Sequence, residues 1–271
     1  MKCPFCFAPF NGKKSGLDRW KSIIDTIARW GVSRVTFGGG DPYSHSGFPQ
    51  LLAHSRAVLG PGAFIQVDTN GLALRKPLEL ALFASLDLLG LPLDGASRPI
   101  HQAMRHHPKH YGHVLWLLEQ LSRSSIKLKV NTVLCTINVV TVDSLITLLS
   151  RYRIALWSIY EFWPIQGTRS AVFSNEIQPL PHDVFLATAA RMSAACDFST
   201  VEIATVQERY GGYFFVDQTG LAYAHPLGNP NEYILIGSIF DSSTRRLWAT
   251  LAETRSESER IDNRVRSIQR S

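Results

Sequence analysis

Apolar positions along this chain switch between two periods. Leu17, Trp20, Ile23, Ile24, Ile27 and Trp30 recur at helical spacing, and Gly31 follows where a helix end favours a left-handed residue. Val32 to Phe37 is short and β-branched, which predicts a strand, and it runs into Gly38-Gly39-Gly40-Asp41-Pro42. The alternation continues. A helix over Phe48–Leu59 stops at Gly60-Pro61-Gly62, and a strand over Ala63–Val67 ends in Asp68-Thr69-Asn70-Gly71. Leu78–Ser85 reads as helix, Leu86–Leu93 as an apolar strand ending in Asp94-Gly95, and Gly112–Leu121 as helix. Ile126–Leu134 (strand), Val142–Ser150 (helix) and Ile154–Phe162 (strand) complete the series, closed by Trp163-Pro164-Ile165-Gln166-Gly167. From Phe173 the pattern changes to a helix over Asp183–Ala195, the segment Val201-Glu202-Ile203-Ala204, and a hairpin pairing Tyr213–Val216 with Leu221–Ala224.

Repeated strand–helix alternation implies an α/β fold with a parallel sheet and helices outside it, either a barrel or part of one, followed by a small C-terminal hairpin and helix extension. We assign residues 1–172 to the barrel, 173–255 to the extension packed on it, and the Ser-, Glu- and Arg-rich residues 256–271 to a frayed or disordered tail. Glycine and polar residues gather where strands end, the edge at which parallel α/β folds keep their sites.

Composition narrows the function classes. At 271 residues with 45% apolar and 18% charged residues, the chain suits a folded enzyme and not a disordered one. A net charge of +6 suits an anionic small substrate. No Lys/Arg run exceeds a doublet, so no nucleic-acid polymer is expected as partner. No stretch approaches the ~18 apolar residues of a membrane-crossing helix. Without a secretory signal pattern or a disulfide framework, the expected location is the cytoplasm.

The chemistry-bearing stretch is Cys3-Pro4-Phe5-Cys6. Two thiols at this spacing are half of a zinc site, a glutaredoxin-like redox pair, or part of an iron–sulfur loop. Zinc wants further ligands, and Cys135 and Cys196 stand alone in apolar surroundings. A redox pair wants a strand before it and a helix directly after it, whereas Pro9 and Asn11-Gly12 interrupt the segment beyond Cys6.

Taken with Gly39-Gly40-Asp41-Pro42 and Thr69-Asn70-Gly71, the cysteine loop resembles that of the radical S-adenosylmethionine (SAM) superfamily. Its hallmark is Cys-x3-Cys-x-aromatic-Cys, whose thiolates hold a [4Fe–4S] cluster with one iron open to SAM. The resemblance makes Cys3 and Cys6 the second and third cluster ligands, with Phe5 the aromatic between them. The resemblance implies a partial (β/α)6 TIM-like barrel whose first strand, with the first cysteine, would fall before Met1, as from a start placed too far downstream, and this chain would hold the cluster poorly. Gly39, Gly40, Asp41 and Pro42 resemble the segment that receives the SAM ammonium, with Asp in place of the family's Glu. Asp94, followed by His101 and Arg105, resembles the next family segment, which makes Arg105 the partner of the SAM carboxylate; Asp94 alternatively caps the helix after it. Asn131, a polar residue in an apolar strand, would face the barrel interior near the SAM ribose, the favoured side, or else solvent. The remaining histidines, His106, His107, His110 and His113, read with His101 as a mostly solvated segment and not a metal site.

Cys6-Phe7-Ala8-Pro9-Phe10, the run Lys129–Asn138 and the run Trp157–Gly167 further resemble the viperin-like branch, which dehydrates nucleoside triphosphates. Tyr213 to Gly237 also resembles the SPASM-type extension of peptide-modifying members, without its cluster cysteines. The implied activity is one-electron cleavage of SAM to a 5′-deoxyadenosyl radical that takes hydrogen from a small substrate, with flavodoxin or ferredoxin as electron donor. The alternatives are modification of a peptide or natural-product intermediate, and an inactive truncated barrel. Tyr160, Glu161, Trp163 and Arg169, at or past a strand end, are the substrate-contact candidates.

Overall fold

The structure is a computed structural model that describes residues 1, 3–8, 14–172, 177–210, 213–226 and 228–253. The tail expected over 256–271 lies outside the described residues. The chain runs α1 (Leu17–Arg29), β1 (Arg34–Phe37), α2 (Phe48–Leu59), β2 (Phe64–Asp68), β3 (Leu88–Pro92), α3 (Arg98–Arg105), α4 (His110–Leu121), β4 (Leu128–Leu134), α5 (Val142–Leu149), β5 (Leu156–Glu161), α6 (Arg169–Val172), α7 (His182–Ala194), β6 (Thr200–Ala204), α8 (Val206–Arg209), β7 (Phe215–Val216), β8 (Leu221–Ala224), β9 (Ile234–Ser238) and α9 (Ser242–Glu253). Short 3₁₀ turns cover Pro42–Ser44, Leu80–Phe83 and Val139–Thr141.

Six strands form one parallel sheet in the order β1-β2-β3-β4-β5-β6, curled into a half-barrel. Each parallel connection needs a crossover, and the helices supply it on the convex face. β6 lies past residue 172, so the sheet draws its last strand from the stretch read as extension. Successive side chains on a strand point to opposite faces. Ile65, Val67, Leu89, Leu91, Val130, Trp157 and Ile159 therefore enter one core with Ile24 of α1, Leu52 of α2 and Leu117 of α4. Each such fully buried side chain contributes about 1.5–3 kcal/mol. The intervening residues face the concave side. Its floor is the apolar trio Phe64, Leu88 and Leu156.

Local signals explain most helix ends. Asp18 in the first turn and Arg29 in the last suit the dipole of α1, and Gly60 ends α2 at φ +85°. The Leu78–Ser85 helix is reduced to the 3₁₀ turn, because Pro77 and Asp87 bracket a segment too short for a stable α-helix. The C-terminal hairpin gains a third strand, β9, which pairs antiparallel with β8. A third strand gives the sheet the size at which such units become stable.

Candidate active site

The carboxyl ends of β1 to β5 carry the site, and one continuous chain of contacts ties them together. Cys3 and Cys6 form a tight turn closed by Cys6 N–H to Cys3 O at 3.3 Å. Arg105, at the end of α3, packs its guanidinium over the Phe5 ring at 4.6 Å and reaches Cys3 Sγ with Nη1 at 3.8 Å. Its Nε donates to Asp94 Oδ2 at 2.5 Å. Asp94 is fully buried, and its Oδ1 accepts from Val133 N–H at 3.0 Å. The planar guanidinium thus joins the cysteine loop to the barrel in a way a lysine could not. Asp94 does not cap the following helix, whose first flanking residue is Ser97. Arg105, expected on the SAM carboxylate, places its Nε on Asp94 and its Nη1 on Cys3.

The contacts continue through histidine. Asp94 N–H donates to His101 Nδ1 (3.2 Å), His101 Nε2 meets His110 Nδ1 (2.7 Å), and His110 Nε2 meets Asn70 O (2.8 Å). A carbonyl only accepts, so His110 carries its proton on Nε2, and His101 must then donate from Nε2 as well. Both rings are fully buried. Burial, aided by the Arg105 charge, pushes each imidazole down to about 3, so both are neutral at physiological pH. This corrects the expectation of a mostly solvated histidine segment for these two rings, while His106 is exposed and His107 and His113 are half-buried. The apolar spacing of Ile100, His101 and Met104 in α3 turns the first ring inward, and helix α4 does the same for His110.

At β1 the glycine strip leaves room. A Cβ on Gly38, Gly39 or Gly40 would meet nothing within 4 Å, and Gly39 sits at φ +90°. Asp41 Oδ1 accepts from Thr69 Oγ1 (2.6 Å) and Tyr43 N–H (3.2 Å). Its Oδ2 has no hydrogen bond among the described residues. Burial raises its carboxyl pKa, against the pull of Thr69, Tyr43 and the nearby Met1 ammonium. Pro42 starts the 3₁₀ turn that Asp41 caps.

The concave face is polar above its floor. Asn131 Nδ2 donates to Asp68 Oδ1 at 3.1 Å, and its Oδ1 is buried with no hydrogen bond. Gln66 also donates to Asp68. Gly90 makes this possible, since a Cβ there would lie 1.9 Å from Asp68 Oδ1. Lys129, 4% exposed, donates to Tyr160 OH at 2.8 Å. Burial pulls its ammonium pKa down, but Tyr160 and Asp68 more than offset this. Of the four expected substrate contacts, Tyr160 faces this interior. Glu161 turns away to His182 Nδ1 (2.8 Å) and Val206 N–H (2.7 Å). Trp163 is buried under the C-terminal sheet, where it donates to Pro230 O and stacks on His225. Arg169 is close enough to Cys6 to lower its pKa, while burial raises that thiol overall. Asp68, on Asn131, and Lys129 and Arg209, on Tyr160, join these candidates and were not singled out from the sequence. For Lys129 the signal was its two-residue spacing from Asn131 on one strand.

These features fit a cluster-and-SAM pair in part. Two thiols beside a guanidinium, an open glycine strip, a carboxylate oxygen left over and an orphan amide oxygen match its donors and acceptors. A third thiolate is not brought to the pair: among the described residues no three His, Cys, Asp or Glu side chains converge as a metal site. Cys135 lies near Cys3 in the same apolar cluster, but its thiol, pushed up to about 11 by burial, contacts Met104.

A half-barrel of parallel strands with such a cysteine loop and glycine strip defines a radical-type SAM fold. The chain belongs to the radical SAM superfamily, whose family model matches residues 1–150. Members of this superfamily use SAM and a [4Fe–4S] cluster. Among relatives, an S-adenosylmethionine-dependent nucleotide dehydratase of Lacinutrix mariniflava is 24% identical over 85% of this chain and 49% of its own length. A second, from Flammeovirga pacifica, is 23% identical over 62% of this chain and 60% of its own. The chain thus spans about half to three-fifths of these relatives. A PqqA peptide cyclase of Xanthomonas campestris is 30% identical over 29% of the chain and 21% of its own length. Streptococcus suis SuiB bound to S-adenosylmethionine shares the fold over 94% of this chain and 64% of its own, with TM-score 0.68 and 13% identity. No helix among the described residues is long and apolar enough to cross a membrane.

Proposed function

We propose that this chain is the catalytic barrel of a radical SAM enzyme acting on a small anionic substrate, a nucleotide in the first instance. The observation that carries the reading is the clamp Cys3–Arg105–Asp94, which fixes the cysteine loop above a polar concave face. Cys3 and Cys6 would hold the cluster. Asp41 and the backbone of Gly39 and Gly40 would receive the SAM ammonium, and Asn131 Oδ1 would accept from its ribose. When bound, the cluster and SAM supply a one-electron cleavage that yields a hydrogen-abstracting carbon radical. The chain's own part is to position and to exclude water. Phe64, Leu88 and Leu156 close the bottom, and Lys129 with Tyr160 orients an anion. The electron would come from a flavodoxin- or ferredoxin-type donor.

The test is anaerobic reconstitution with iron and sulfide. It uses this chain and the same chain preceded by a segment placing a cysteine four positions before Cys3. With dithionite and SAM, the extended form is expected to release 5′-deoxyadenosine, and nucleoside mono- or triphosphates should raise the yield. No release from either form overturns the enzyme reading, and release that no nucleotide alters overturns the nucleotide reading.

A further inference from the structure

Two buried cations in the concave face have no ion-pair partner among the described residues. Lys129 and Arg209 lie on the same phenol ring, at 5.4 and 5.3 Å from the Tyr160 centroid. Arg209 is 6% exposed and also stacks over Trp163 at 4.9 Å. It is held by carbonyls alone: Nε donates to Thr205 O (3.2 Å) and Nη2 to Glu161 O. Its Nη1 has no hydrogen bond among the described residues. Burial lowers its pKa despite nearby Tyr213, Tyr160, Glu161 and Tyr233, as befits a cation short of counter-charge. An arginine this buried normally faces a carboxylate, because desolvating it unpaired costs several kcal/mol.

Next to it is a second unfinished group. The Tyr233 hydroxyl is buried and without a hydrogen-bond partner. Its ring packs on Phe215 (5.3 Å) and His225 (4.6 Å) at the inner side of the C-terminal sheet. His225 in turn stacks on Trp163 at 4.6 Å, the ring that lies under the Arg209 guanidinium, so one run of stacked rings links the phenol to the basic residue. A buried phenol left unpaired costs about 1–3 kcal/mol, a cost that a bound acceptor removes.

We infer that Arg209 and Tyr233 form an oxyanion seat, with Lys129 across the Tyr160 ring, that takes one compact anionic group of the substrate, a phosphoryl or a carboxylate. Arg209 and Tyr233 lie past the stretch that the family model matches, and the seat rests on and deepens the proposed function by naming the end of the substrate that is gripped.

The test needs neither cluster nor SAM. Inorganic phosphate and acetate are titrated calorimetrically into the full chain, its Tyr233→Phe variant and its Arg209→Gln variant. Phosphate binding tighter than acetate assigns a phosphoryl, and the reverse assigns a carboxylate. Tyr233→Phe removes only the orphan hydroxyl, so it should raise the melting temperature of the anion-free protein, not lower it, while weakening the anion about tenfold. Arg209→Gln should weaken it about a hundredfold. The seat is overturned if neither anion binds the parent chain, or if Tyr233→Phe leaves affinity unchanged. Because iron and SAM are absent, failure here leaves the radical chemistry standing, and failure of SAM cleavage leaves the seat standing.

Discussion

Acidifying the solution should unlock the His101–His110 pair. Both rings are neutral in the fold, with pKa values held down to about 3 by burial and by the Arg105 charge, whereas an unfolded histidine titrates near 6.5. Between these values the unfolded state binds one more proton per histidine than the native state. Stability therefore rises with pH through this window and is lost as pH falls below about 6.5. The slope is about 1.4 kcal/mol per pH unit for each ring, so moving from about pH 7 to about pH 5.5 costs roughly 2–3 kcal/mol for the pair. Urea unfolding followed by tryptophan fluorescence measures this at both pH values. His110→Asn removes one titrating ring and should remove about half of the pH dependence, whatever its effect on absolute stability. If parent and variant show the same change between the two pH values, the pair is not buried in the neutral form and the reasoning fails.

Packing and charge give three further expected outcomes. Gly90→Ala drives a Cβ to 1.9 Å from Asp68 Oδ1, and urea unfolding should show a loss of about 1–3 kcal/mol or more. Arg105→Met leaves the fully buried Asp94 uncompensated and should cost about 3–5 kcal/mol; Asp94→Asn added to it should recover part of that loss in a double-mutant cycle. Asp41→Asn keeps acceptors for Thr69 and Tyr43, so thermal melting should move little. SAM affinity measured by calorimetry on reconstituted protein should fall about tenfold, as one charge-assisted contact is lost.

The strands were legible because a parallel sheet buried on both faces leaves short, nearly continuous apolar runs that end in glycine or polar clusters, as in β3, buried at all five positions. The Phe48–Leu59 helix was read to the residue because Gly60-Pro61-Gly62 cannot continue it. Helix α3 carried too little signal, with Ile100 and Met104 its apolar anchors and a histidine taking the third inward place. A neutral buried histidine looks identical to a solvated one until its partners are known. Strand β9 was hidden because Gly237 at φ +129° breaks its alternation and because its pairing with β8 is set by tertiary contact. The site divides in the same way. Cysteines, glycines, Asp41, Asp94 and Asn131 stand in local patterns, so they could be found in the chain. Glu161 and Trp163 occupy the expected strand end, yet the local turn of the backbone directs one to α7 and the other under the C-terminal sheet. Arg209 sits in the short α8, whose sequence resembles any capped helical turn, and only folding brings it against Tyr160.

The proposed chemistry rests on Cys3 and Cys6 holding an iron–sulfur cluster open to SAM. Electron paramagnetic resonance of the reconstituted, dithionite-reduced protein, in the form extended to carry the additional cysteine, tests this most directly. The expected result is a cluster signal that shifts when SAM is added and is lost in Cys3→Ala and in Cys6→Ala. A signal indifferent to SAM, or one that survives both substitutions, would contradict it.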